Sequence, residues 1–214
     1  MKTFTLSVLL LAFAAAAAAT PLTLVPVTSA PFYQQTTNNP CVIGDPSCQS
    51  PAGWSFTTFA SGASSYTDVQ SPTYTVSQIT GIVGGTAFMI GVDVNQTNTP
   101  QTLGFFGMYV NGALVADYSP ASPTPVPPTS GGGNGNGWAD YLLQGFSLAG
   151  YQPNDSVYFK VTMPLVNDGR EEFFLISAPG QEPPPEIPEP ATSALIGGGL
   201  IGLGLLSRRF RKSA

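Results

Sequence analysis

From residue 53 onward the sequence breaks into short runs of β-branched and aromatic residues, each closed by Gly, Pro, Asn or Asp, and none with apolar residues at helical spacing. The runs are 54–59, 65–69, 73–79, 86–94, 103–110, 113–118, 139–148, 156–163 and 172–176. Val157, Phe159 and Val161 alternate with Tyr158, Lys160 and Thr162, a two-residue period that defines one core face. Tyr74, Val76 and Ile79 begin a looser alternation. Asn111-Gly112 sits between two such runs, and because both residues tolerate positive φ it predicts a type I′ hairpin. Gln152-Pro153-Asn154-Asp155 and Asn167-Asp168-Gly169 read as further turns. Short strands at spacings of about 8–12 residues predict an all-β chain with a single β-sandwich or jelly-roll-like domain over 52–178. Residues 119–137, rich first in Pro and then in Gly, read as a long exposed loop.

The two ends have a different character. Met1-Lys2, an apolar run over 6–19 and the small residues Ala17-Ala18-Ala19 have the order of a secretory signal peptide spanning 1–19. At the other end a Pro-rich linker, 179–190, leads into an apolar stretch over 191–206 and then Arg208, Arg209, Arg211 and Lys212. As a helix that stretch covers roughly 24 Å against a hydrocarbon core of about 30 Å, short for a permanent anchor. Gly198 and Gly202 give it a small-xxx-small face suited to close approach by another membrane helix. The four cations are expected to remain on the cytoplasmic side, leaving the bulk of the chain outside.

Pro188-Glu189-Pro190, the following Ala191-Thr192, the apolar Leu/Gly-rich span and the basic end together resemble the PEP-CTERM sorting signal of Gram-negative bacteria. The resemblance covers residues 187–212 and does not extend to the domain before them. It implies export by the secretion machinery and a transient stay in the inner membrane. It further implies recognition and cleavage near Pro188-Glu189-Pro190 by exosortase, an intramembrane cysteine protease, and final residence at the cell surface or in an extracellular polysaccharide or biofilm matrix.

Between the two ends, residues 20–190 hold only Lys160 and Arg170 as cations, against all 12 acidic residues of the chain. Phosphate binding depends on Lys and Arg, so nucleic acid is excluded as a partner. Residues 20–51 read as a Pro/Thr-rich leader with little structure of its own apart from Cys41 and Cys48. In an oxidising compartment these two are expected to form a disulfide, with Gly44-Asp45-Pro46 supplying the turn.

The chain contains no histidine, which removes Ser-His-Asp triads, Cys-His dyads and imidazole metal sites. Residues 131–137 are a glycine-rich run without the Lys of a phosphate-binding loop. Carboxylates remain, and a glycosidase would need two of them across a cleft. Asp93, Asp117, Asp140, Glu171 and Glu172 are the candidates, but nothing in their spacing pairs them, and they read as solvated groups at strand ends. Asp93 and Asn95 are weak calcium candidates at a strand end, with Asp68, Asp155 or Asp168 as further oxygen ligands. Trp54, Trp138 and several Tyr could offer faces to sugars, with Trp138 the more exposed of the two Trp, although aromatics in a sandwich more often fill the core. The expectation is therefore an exported structural or interaction protein that is not an enzyme and needs no cofactor. The alternatives are a carbohydrate-binding module with a calcium-stabilised fold, and behind it a polysaccharide-active enzyme.

Overall fold

In a computed structural model the described residues are 18–96, 101–129, 135–166 and 169–180, all within one compact unit. Two open sheets carry the architecture. The first runs β1 (Thr20–Pro21), β10 (Ala113–Tyr118), β9 (Phe105–Val110), β13 (Ser156–Met163), β5 (Tyr66–Gln70), with β6 (Tyr74–Thr75) also on β13. The second runs β2 (Thr23–Pro26), β12 (Tyr141–Ser147), β7 (Ala87–Asp93), β14 (Glu172–Ser177), β3 (Cys41–Gly44), β4 (Thr57–Thr58). A small pair joins β8 (Gln101–Leu103) to β11 (Thr124–Val126). Pairing is antiparallel except for β1 with β10 and β3 with β4.

The all-β expectation holds, and its clearest pattern has the clearest outcome. Along β13 every second residue, Val157, Phe159, Val161 and Met163, is buried, while those between are partly exposed. β9 adds Phe106, Met108 and Val110, and the second sheet contributes Ile90, Val92, Leu143, Phe173 and Leu175 to the same apolar cluster. Each fully buried side chain of this size contributes about 1.5–3 kcal/mol of transfer free energy. The Asn111-Gly112 hairpin forms as read: φ is 51° and 81° at the two positions, and Ala113 pairs with Val110.

The expectation of no helix is corrected. Val76–Val83 is an α-helix, α1, that begins within the run read as strand 73–79 and continues past it. Thr75 Oγ1 accepts from the Gln78 N–H at 3.2 Å while Gln78 Oε1 accepts from the Thr75 N–H at 2.8 Å, a reciprocal capping box. Val76, Ile79 and Val83 form its buried face, and Gly84, at φ 75°, ends it. Thr75→Ala is expected to lower stability by about 1 kcal/mol, read as a shift in urea midpoint at unchanged slope; an unchanged midpoint would mean the cap contributes nothing.

The leader is also corrected. Thr20–Pro21 is a strand of the first sheet, Thr23–Pro26 and Cys41–Gly44 are strands of the second, and Val42 and Ile43 are wholly buried. Between them the chain covers the outer face of the second sheet, where Val27 and Tyr33 pack with Met89, Leu142, Phe174 and the cysteines in a second apolar cluster. Gly91 makes that packing fit, since a Cβ there would stand 2.6 Å from the Phe174 ring. Within the loop read over 119–137, Thr124–Val126 is a paired strand and Val126 is fully buried. The apolar runs assigned to a signal peptide and a sorting helix lie outside the described residues, among which no helix is long and apolar enough to cross a membrane.

Candidate functional site

The second sheet gathers acidic residues at one end. Asp93 closes β7, and Glu172 opens β14 as its direct antiparallel partner. Asp140 stands just before β12 with its N–H on the Val92 carbonyl at 2.8 Å. Carboxylates on neighbouring strands repel one another. The reading of solvated strand ends is nevertheless overturned, because Asp93, Asp140 and Glu171 are at most 1% exposed and Glu172 is 7% exposed. Gly137, 44 residues further along the chain, lies over Asp93, Thr129 lies against Asp140, and the Cys41–Cys48 disulfide of the leader lies against Glu172.

Burial dominates their protonation. It pushes Asp93 up to about 8, helped by the charges of Glu172 and Asp140 and only partly opposed by the Gly137 N–H, which donates to Asp93 Oδ2 at 2.7 Å. Glu171 rises to about 8 for the same reason. Gln101 and the Asn95 backbone offset part of that rise, yet neither Glu171 oxygen makes a well-formed hydrogen bond. Glu172 rises to about 7 by burial and the nearby Asp45 charge, against a contribution from Ser47. Asp140 is also raised by burial, but it is well satisfied: Oδ2 accepts from Val94 N–H at 2.9 Å, and Oδ1 accepts from Thr129 N–H at 2.5 Å and from the Thr129 hydroxyl at 3.1 Å. Asp140 thus clamps the end of β7 to the segment that follows β11. Asp117 lies apart on β10 in the first sheet.

The cysteines form the expected disulfide, with Cα atoms 6.1 Å apart. Glu172 packs within 4.8 Å of both sulfurs, but a disulfide has no thiolate to offer a metal, so that trio is not a ligand set. Of the calcium candidates, Asp93 has one unpartnered oxygen, Oδ1, and Asn95 lies beside Gly169, its carbonyl accepting the Gly169 N–H at 3.1 Å. Asp155 is used in its own turn, where Oδ2 accepts from Gln152 N–H at 2.7 Å. Asp68 lies on β5, its N–H on Thr162 Oγ1 at 3.1 Å, and Asp168 falls outside the described residues.

Aromatic faces are mostly taken. Trp54 stacks on Tyr74 at 4.4 Å and donates Nε1–H to the Cys41 carbonyl at 2.8 Å. On the outer face of the first sheet Tyr109 and Tyr158 stack on each other at 4.8 Å, and Lys160 Nζ lies 5.6 Å from the Tyr109 centroid. Those rings are engaged with each other rather than laid flat as a platform. Trp138 is half-buried, in a backbone bridge to Gln34.

The sorting residues Pro188, Glu189, Pro190, Arg208, Arg209, Arg211 and Lys212 lie outside the described residues, and the family comparison bears on them. Residues 186–212 match the model of the PEP-CTERM protein-sorting motif. The chain carries a PEP-CTERM sorting signal. That signal marks an exported protein sorted by exosortase, and it accounts for the Pro-Glu-Pro, the apolar span and the basic end as one unit. No curated protein and no solved structure matches this PEP-CTERM chain. The match stops at residue 186, so the chemistry of the two sheets rests on their own geometry.

Proposed function

We propose that the processed protein is a component of the cell surface or extracellular matrix that acts through its structure and contacts rather than by catalysis. Its two open sheets about a shared core are a β-sandwich carried outward by the sorting signal. One observation supports the non-catalytic reading above the others: among the described residues, the carboxyls gathered at one end of the second sheet, Asp93, Asp140, Glu171 and Glu172, are buried under other segments of the same chain. General acid and base catalysis needs carboxyls that reach a substrate, and two cavities of about 310 and 140 Å³ are lined by other residues. An extracellular polysaccharide is the partner such a location supplies. Isolating the matrix fraction of the native host and degrading its polysaccharide with periodate or glycan hydrolases tests this. The protein is expected to be released together with the polymer. Protein that stays with washed cells after the polymer is gone would place it on the cell envelope instead.

A further inference from the structure

The outer faces of the two sheets differ. Leader residues Val27 and Tyr33 cover that of the second, whereas α1 packs on β14 and β6 and sends its apolar side into the core between the layers. The outer face of the first sheet keeps part of its surface in solvent, yet it is not the polar face that an uncovered antiparallel sheet usually turns to water. Phe105 and Tyr109 on β9, Leu114 on β10 and Tyr158 on β13 are all partly exposed there. Gly107 lies among them, and a Cβ at that position would stand 2.5 Å from the Phe105 ring and 2.9 Å from Leu114 Cδ1, so these two side chains close over it.

Pairing arranges this face in rows. Leu114, Tyr109 and Tyr158 are direct cross-strand neighbours, and Asp117, Gly107 and Lys160 form another row on the same face. β9 is the middle strand of the path β1, β10, β9, β13, β5, so Asp117 and Lys160 flank the centre from opposite sides. At about 4.8 Å per strand they stand about 10 Å apart across the sheet. Lys160 is one of two cations in residues 20–190. Among the described residues the one ion pair joins Arg170 to Asp45, so neither Lys160 nor Asp117 has an ionic partner among them.

An acid and a base placed equally on either side of a central strand are complementary to their own copy. A two-fold axis running along β9 in the plane between two such faces lays each β13 over the β10 of the other molecule. Lys160 of each copy then meets Asp117 of the other, Tyr158 meets Leu114, and Phe105 and Tyr109 meet their own equivalents. Packed sheets stand about 10 Å apart, a gap that a Lys stem and an Asp side chain span together. An axis about 15° off β9 produces the crossing of roughly 30° that aligned sheets prefer. Asp68, on β5 at the rim, falls opposite the short β1 of the second copy, Thr20–Pro21, which carries no acid.

We propose that the outer face of the first sheet is a self-association surface, on which a second copy docks face to face with two reciprocal Lys160–Asp117 pairs. It goes beyond the matrix reading above and does not depend on it. Sedimentation equilibrium of the processed protein from its host, at low salt, is expected to show a monomer–dimer equilibrium. Lys160→Glu should weaken the dimer at least tenfold, because each pair becomes two like charges, and Asp117→Lys should do the same. Combining the two substitutions exchanges the signs and should restore the dimer, an outcome that general damage to the fold would not produce. Should a charge variant misfold, Tyr158→Ala carries the test, with association weakened severalfold. A monomer at every concentration, a dimer indifferent to Lys160→Glu, or a folded double variant that stays monomeric would overturn the proposal. A monomer that loses co-sedimentation with host polysaccharide on Tyr158→Ala would overturn it as well, assigning the face to the polymer; a monomer that still co-sediments leaves the matrix reading standing.

Discussion

Raising the pH from about 5 to about 9 is expected to lower the melting temperature by on the order of 10 °C. Asp93 and Glu171 are held near 8 and Glu172 near 7 in the folded chain, mainly by burial, whereas in the unfolded chain they titrate near 4. The folded state therefore binds more protons than the unfolded state across that interval, so stability falls as pH rises. The stability tied to these groups is fully present below about pH 4 and is lost as pH climbs through 7 to 8. Several kcal/mol are at stake, and about 1 kcal/mol moves the midpoint of a domain this size by about 2–4 °C. Glu171→Gln keeps the shape of the protonated side chain without its charge and should flatten the profile. A melting temperature that is constant or rises from pH 5 to 9 would show that these carboxyls are ionised in the fold. If added calcium restored the loss at pH 9, an ion would be neutralising the Asp93 end instead.

Phe159→Ala is expected to cost about 3–5 kcal/mol. Phe159 is fully buried at the middle of β13, and its ring lies 5.9 to 6.5 Å from those of Phe106, Phe88, Phe146 and Tyr74. Phe88 and Phe146 belong to the second sheet, so the cavity left behind would open between the layers, where neither can collapse without moving its strand. Domains of this kind hold about 5–15 kcal/mol in total, so the loss is a large fraction. Its neighbour Tyr158 points to the other face and is partly exposed, so Tyr158→Ala should cost much less. Urea melts of the two variants decide it; equal losses would mean that β13 does not present the face described.

Those two side chains also show how far local pattern carries. Alternation along 156–163 announces both strand and core face, and Asn111-Gly112 announces a hairpin because only residues tolerant of positive φ fit there. The helix was less visible. Tyr74, Val76 and Ile79 suit either period over so short a run, although Thr75 with Gln78, then Val83 and Gly84, is a legible start and stop. Strands β1, β2 and β3 escape local reading because they are short, Pro-flanked and paired with residues about a hundred positions away. The buried carboxyls escape it for the same reason: Asp93 reads as a solvated strand end until the chain around Gly137 is laid over it. Arg170 and Asp45, 125 residues apart, carry no joint signal at all. The sorting tail, like the β13 alternation and the Asn111-Gly112 hairpin, is read from contiguous residues.

The most direct test of export and sorting is the intact mass of the protein in each cell fraction of its native host. Cleavage near residues 188–191, with the product outside the inner membrane and the N-terminus beginning near Thr20, is the predicted result. A chain still carrying Arg208 to Lys212 and confined to the inner membrane would contradict it.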